Sequence, residues 1–479
     1  MPARPQAQSA EQRDRPASVS LRVFMRGLDS FGESFWAKHG AAMFWCRLRP
    51  PMTAHKCRIA AGCLLPLVAL FAFAPLARTH PQASPVAPRP PELSTDAQAA
   101  LSRQLQDAVT RSDTPGVVAL VADRQQVLYE GAAGKLDIAQ NVAMPENAIF
   151  MIASMTKPIT SVAIMMLYEQ GKLKLDDPVS KYLQGFDNLQ VITKFNQKDT
   201  SYQVHPAKRP MSIRHLLTHT SGLAYAFSNP IEYRLTQATK KNEWELPLVS
   251  DPGEKWNYSP STRVLGMIVE KITGESLEAY YQEHIFRPLG MTDTSFALPA
   301  EKRSRVPTQY RKVAGSWQAL EPQAAAPLAP TPPFRGDGGL YSTAQDYGRF
   351  MQMILNEGHL GSAQILTENS VRMMCENNIG SIFVELQPDA DKQRTKPFPL
   401  GAGQDKFGFG FQITSDDPRY AKYRSPGSLS WAGIYNTEFW IDRAKRIGAV
   451  QMMQMLPFYD DSALRTLRDF EALVYRNLR

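Results

Sequence analysis

Ser154-Met155-Thr156-Lys157-Pro158 runs directly into the apolar stretch Ile159 to Glu169, and the rest of the chain is read outward from this segment. Residues three apart on a helix share a face, so a lysine three positions after a serine sets an amine beside a hydroxyl. Proline is tolerated only near a helix start, which places Ser154 in or just before the first turn. There the unpaired N–H groups and the positive helix end favour developing negative charge. The S-x-x-K spacing occurs once in the chain. By itself it is a weak signal, and a capping serine beside a surface lysine is the plain alternative.

Two later segments strengthen the reading. Tyr258, Ser259 and Pro260 follow the turn Asp251 to Gly253 and precede a helix expected near Val264, so the tyrosine sits at a loop-to-helix junction from which it can reach inward. A buried core tyrosine would look the same in isolation. Trp431, Ala432 and Gly433 occupy the middle of a strand-like stretch, after Gly427 and ahead of Ile434. Glycine in a strand lets a ligand approach the backbone, although a strand glycine under a packed tryptophan is an adequate bland account.

The flanks predict the architecture. Ser94 can cap an amphipathic helix carrying Leu101, Leu105 and Val109, and Gly116 to Ala122 with Gln126 to Tyr129 read as a strand pair. Near the other end Phe409 to Ile413, Leu429 to Tyr435, Glu438 to Ile441 and Ala449 to Leu456 are strand-like, and Asp461 opens a helix with Leu464, Leu467 and Val474 inward. Between lie mostly helices, among them Ile213 to Leu217, Leu265 to Ile272 and Tyr347 to Leu355. The expected fold class is α+β: one antiparallel sheet closed by both chain ends, with flanking helices, plus an inserted and mostly helical subdomain.

The chain of 479 residues is 43% hydrophobic and 10% aromatic, an ordinary globular composition. Its formal charge of +8 is dispersed rather than gathered into runs, which argues against a nucleic-acid partner. Cys46, Cys57 and Cys63 lie at or before an apolar stretch, leaving Cys375 alone in the expected fold, so neither an internal disulfide nor a cysteine-rich zinc site is available there. That stretch, residues 59–77, follows Lys56 and Arg58 and precedes Arg78, the pattern of a signal peptide or signal anchor over residues 52–78. Export is therefore expected, to the periplasm or beyond, either free or held at the inner membrane through residues 59–77. Residues 1–51 form a basic extension that makes Met52 an alternative start, residues 79–93 read as a Pro-rich linker, and the folded part is expected over 94–479.

Read together, Ser154-x-x-Lys157, Tyr258-x-x and a strand motif at Trp431-Ala432-Gly433 resemble the superfamily of class C β-lactamases and penicillin-binding proteins, and most of all family VIII carboxylesterases. The phrases Ser212 to Leu223 (SIRHLLTHTSGL), Pro288 to Phe296 (PLGMTDTSF) and Gly338 to Asp346 (GGLYSTAQD) extend the resemblance over the whole region after Ser94. It implies a β-lactamase/DD-peptidase-like fold and acyl transfer, with Ser154 as nucleophile and Lys157 and Tyr258 as a coupled proton-transfer unit whose base the sequence does not assign. It also implies oxyanion donors at the backbone N–H of Ser154 and Ile434, and substrate contacts at Trp431, Ala432 and Gly433.

Two departures stand out. Pro260 takes the place of the asparagine in Tyr-x-Asn, and Trp431 takes that of the lysine in K-T-G. They favour a small-molecule ester over an amide; a β-lactamase or D-amino-acid peptidase is the alternative on the same fold, and a catalytically silent binding protein is the third. Arg424 is a candidate to supply the missing cation. Other classes lack a handle: there is no G-x-S-x-G, and no nucleotide-binding glycine motif. His215 and His219 have the spacing of a zinc pair but lack the glutamate of H-E-x-x-H, so a structural role is expected for both, with neither metal nor cofactor.

Overall fold

The structure, a computed structural model, describes residues 89–320, 332–418 and 423–479. The expected leader and most of the expected linker lie outside the described residues. Among the described residues no helix is long and apolar enough to cross a membrane.

Gly116–Asp123 (β1) is buried at every position, so both of its faces are covered. It pairs antiparallel with Val127–Asp137 (β2), which continues to Val142–Ala143 (β3). The remaining strands come from the far end of the chain: Lys406–Phe407 (β4), Gln412–Ile413 (β5), Leu429–Gly433 (β6), Thr437–Asp442 (β7) and Ile447–Met452 (β8). Their order is β4-β5-β6-β7-β8-β1-β2-β3, antiparallel throughout. The two chain ends thus meet in the β8–β1 ladder, where Val118 faces Met452 and Ala122 faces Gly448.

Strand alternation divides β1 between two cores. Val117, Ala119 and Val121 pack with Leu101 and Leu105 of Thr95–Thr110 (α1) and with Leu467, Phe470 and Val474 of Asp461–Asn477 (α2). Val118, Leu120 and Ala122 pack into the larger core formed with the inserted helices. Ser94 caps the first helix through its Oγ, which accepts the Ala97 N–H at 3.3 Å, and Asp460 caps the last.

Several expected boundaries move. β2 runs eight residues beyond Tyr129, through Gly131 and Gly134; at Gly131 a side chain would collide with the Tyr129 ring, and Gly134 sits at φ +83° against the Pro115 carbonyl. Only Gln412–Ile413 of the expected strand from Phe409 is a strand: Gly410, between the buried Phe409 and Phe411, sits at φ +93°, outside extended geometry. The expected strand to Leu456 breaks after Met452, and Met455–Leu456 pairs in parallel with Tyr310–Val313 in a separate small sheet.

Candidate active site

Ser154 lies in the single helical turn Ala153–Met155, which leads straight into the helix Thr156–Glu169. Ala153 holds a positive φ of 45°, a conformation uncommon for a residue with a side chain, so the turn is sharp and leaves Ser154 half-buried at its tip. One turn on, Lys157 is 1% exposed. Its Nζ donates to Ser154 Oγ at 3.0 Å and to the Asp337 carbonyl at 2.7 Å. Burial favours the neutral amine and lowers Lys157 to about 7; the Asp337 carboxylate opposes the change, and the Arg335 guanidinium adds to it.

Tyr258 arrives just before the helix Ser261–Thr273, whose N-cap is Pro260. Its ring centroid stands 4.8 Å from Lys157 Nζ, and that of Tyr225 stands 5.2 Å away. The Tyr258 phenol is buried without a completed hydrogen bond. Burial raises its pKa well above the ordinary value, while the nearby Ser154 hydroxyl and Trp431 N–H pull the other way. The phenol therefore keeps its proton.

Trp431 is 6% exposed and sits in an aromatic group, with ring centroids 5.0 Å from Tyr258, 5.5 Å from Phe407 and 6.4 Å from His219. Its Nε1 has no hydrogen-bond partner, leaving a buried donor near the Tyr258 phenol. Ser154, Tyr258, Trp431, Ala432 and Ile434 share one cavity of about 350 Å³, with Phe227, Phe398 and Phe458 on its walls.

Gly433 is not among the residues that line that cavity. A side chain on it would fall 2.3 Å from the Ile152 carbonyl and 2.3 Å from Thr437 Oγ1. The close approach it permits is to the protein's own backbone, and it brings the edge of β6 against the turn that carries Ser154. Arg424 also reaches the cavity, but Glu471 holds it in two hydrogen bonds of 2.8 and 2.9 Å.

The histidines separate. The helix Ile213–Leu217 ends before His219, so the zinc-like spacing does not place the two on one helix face. His215 caps its start, its Nδ1 accepting the Ser212 N–H at 3.2 Å. His219 lies past the end at φ 56°, its Nδ1 3.0 Å from Ser259 Oγ and its ring against Tyr258. The site also contains groups that no sequence spacing announced. Asp337 is fully buried behind Lys157; its carboxylate accepts the Tyr225 O–H at 2.6 Å and Arg335 N–H bonds at 3.3 and 3.4 Å, with Arg263 at 4.0 Å. Burial would raise the Asp337 pKa, but Arg335, the Lys157 amine and the Tyr225 hydrogen bond hold it well below the ordinary carboxylate range.

The β-lactamase family model matches residues 101–473. Protein Rv1367c of Mycobacterium tuberculosis is 33% identical over 383 residues, spanning 76% of this chain and 91% of its own length. Esterase EstB of Burkholderia gladioli is 29% identical over 364 residues, spanning 69% of this chain and 83% of its own. Unliganded simvastatin synthase from Aspergillus terreus matches in fold with a TM-score of 0.67, at 24% identity, over 80% of this chain and 98% of its own. With the match covering nearly all of the described fold, the chain belongs to the β-lactamase family and is an enzyme of the serine hydrolase type.

Proposed function

We propose that the protein hydrolyses carboxylic esters through an acyl-enzyme on Ser154. The observation that carries this reading is the buried Lys157 amine, lowered to about 7 and within hydrogen-bond reach of Ser154 Oγ. As the free base, Lys157 accepts the serine proton while Oγ bonds to the ester carbonyl carbon. Tyr258, still protonated, gives its proton to the departing alkoxide as the C–O bond breaks, and Lys157 returns the proton to Tyr258. Water then attacks the acyl-enzyme, passing a proton to the same pair, and Ser154 regains its proton as the acid leaves. The backbone N–H groups of Ser154 and Ile434 take the oxyanion, a role supported by the place of both residues on the cavity; losing one such donor costs on the order of a hundredfold to a thousandfold in rate.

The walls favour esters over β-lactams and D-amino-acid peptides. Those substrates bring a carboxylate near the scissile amide, whereas Trp431 offers an apolar face and a single N–H, and the charge of Arg424 is already met by Glu471. Pro260 caps a helix and has no amide to offer Lys157 or the substrate. The similarity to Esterase EstB points the same way. Export remains part of the proposal, resting on residues 59–77 and tested by cell fractionation and by the mass of the natural N-terminus.

The deciding measurement is kcat/KM for a butyrate ester and for a chromogenic cephalosporin, with the ester expected to be much the better substrate. A preference for the cephalosporin would overturn the ester reading and leave the serine mechanism standing. A fluorophosphonate probe should map to Ser154; an adduct on another serine would overturn the mechanism itself.

A further inference from the structure

The cavity that opens at Ser154 is also lined by Glu438 of β7. Glu438 lies directly across the ladder from Ala432 on β6, so its side chain shares a face with the strand beside the nucleophile. It is only 9% exposed, and neither carboxyl oxygen makes a hydrogen bond or ion pair among the described residues. Several other polar groups of that wall are engaged. Arg424 and Glu471 hold one another, and Gln412 donates to the Leu400 carbonyl and to Asp405, both at 2.6 Å. An unmatched polar group at this depth weakens any ligand that covers it without replacing its water, and strengthens one that does replace it.

We propose that Glu438 is a specificity residue, and that the cavity takes an ester whose distal substituent is neutral and carries a hydroxyl, which both gives and receives a hydrogen bond at the Glu438 carboxyl. The inference rests on the ester reading of Ser154 and adds the class of substrate to it. Burial raises Glu438 to about 8, with Arg424 and Arg468 lowering it and Glu471 raising it, so at neutral pH it is mainly the protonated acid, donor and acceptor at once. The facing groups are Arg424 ahead of β6, Arg468 and Glu471 of the last helix, and the neutral amide of Gln451 opposite on β8. An ammonium would meet two guanidiniums there, and a carboxylate would meet Glu471 along with the guanidinium of Arg468. A plain alkyl chain would leave the acid unpaired.

The test is equilibrium binding to the full-length Ser154→Ala protein, where turnover cannot interfere and either orientation of the ligand is seen. The probes are methyl hexanoate and its ω-hydroxy, ω-ammonium and ω-carboxylate counterparts. The ω-hydroxy ester is expected to bind about tenfold tighter than the plain ester at neutral pH, the scale of one buried hydrogen bond. Added Glu438→Leu should erase or reverse that preference, while Glu438→Gln, itself donor and acceptor, should retain it. Raising the pH through about 8 should improve binding of the ω-ammonium ester to the Glu438 protein and not to the Glu438→Gln protein. Equal binding of the plain and ω-hydroxy esters, tighter binding of either charged ester at neutral pH, or a preference that survives Glu438→Leu overturns the proposal. Turnover of a simple acetate ester by the unsubstituted protein reports separately on the ester reading.

Discussion

Asp113 and Asp337 are both fully buried aspartates, each held by arginine, and they do different things. Asp113 closes the end of α1: Arg111 Nε reaches it at 2.9 Å and Arg465 Nε of α2 at 3.0 Å, while its carbonyl accepts the Ser462 hydroxyl at 2.9 Å. Its arginines are 40% and 55% exposed, no reacting group lies beside it, and its carboxylate fastens one chain end to the other. Asp337 has longer arginine contacts, a short bond from Tyr225, and a carbonyl committed to the Lys157 amine. Its charge therefore acts on a group that titrates near neutrality. The same chemical unit serves as a staple where only structure depends on it, and as a local field where a proton must move.

Substitutions can break this contrast. The largest effect should come from Lys157→Ala, which removes the group on which the Asp337 field acts; kcat/KM for a short ester is expected to fall by roughly a hundredfold to ten-thousandfold. Adding Tyr258→Phe to it should cost far less than the two single losses multiplied, because either change already disables the shared step. Near-normal turnover by Lys157→Ala at neutral pH would end the distinction between the two aspartates. Next, Asp113→Asn should lower unfolding stability by about 1–3 kcal/mol while leaving the pH profile of activity where it was. Its pKa is depressed in the folded protein by Arg465 and Arg111 against the effect of burial, so its contribution is present above the unfolded pKa and is lost as pH falls through the lower folded pKa. Denaturant unfolding at neutral and acid pH, on both proteins, measures it.

Asp337→Asn should do the reverse. The carboxylate favours the protonated lysine, so removing it lowers the Lys157 pKa further, and the acid limb of kcat/KM, expected near about 7, moves to lower pH. Arg335→Gln removes a positive charge and should move the limb upward. Shifts in one common direction would show that both changes act through distortion rather than charge. The smallest effect belongs to Tyr225→Phe, which removes one 2.6 Å hydrogen bond from Asp337 and leaves its charge, giving a slight shift beside a measurable loss of stability.

The sequence shows Ser154 and Lys157 because three residues of helix bring them together, and it shows Trp431 and Ile434 because a strand presents neighbouring residues in a fixed order. Tyr225 and Asp337 are joined to Lys157 only by the closing of the insert; the Asp337 carbonyl is 180 positions away from the amine it accepts. Long-range contacts of this kind leave no period in a chain. Glu438 was legible as part of a strand, but its face and its lack of a partner depend on where α2 and the Arg424–Glu471 pair lie. The fold was read correctly in outline because β1, β6 and β8 are apolar and bounded by turns. Its errors fell where aromatic anchors imitate a strand, at Phe409 and Phe411, or where glycine bends a real one, at Gly131 and Gly134.

The approach of Gly433 to the Ile152 carbonyl also has a meaning in time. Ser154, Lys157 and Tyr258 leave the ribosome well before the strand edge that stands against their turn and the Ile434 amide just beyond it. A nascent chain that has not yet reached β6 carries the proposed nucleophile without its proposed oxyanion partner, so on that reading catalytic competence waits for β6 rather than accumulating as the chain grows.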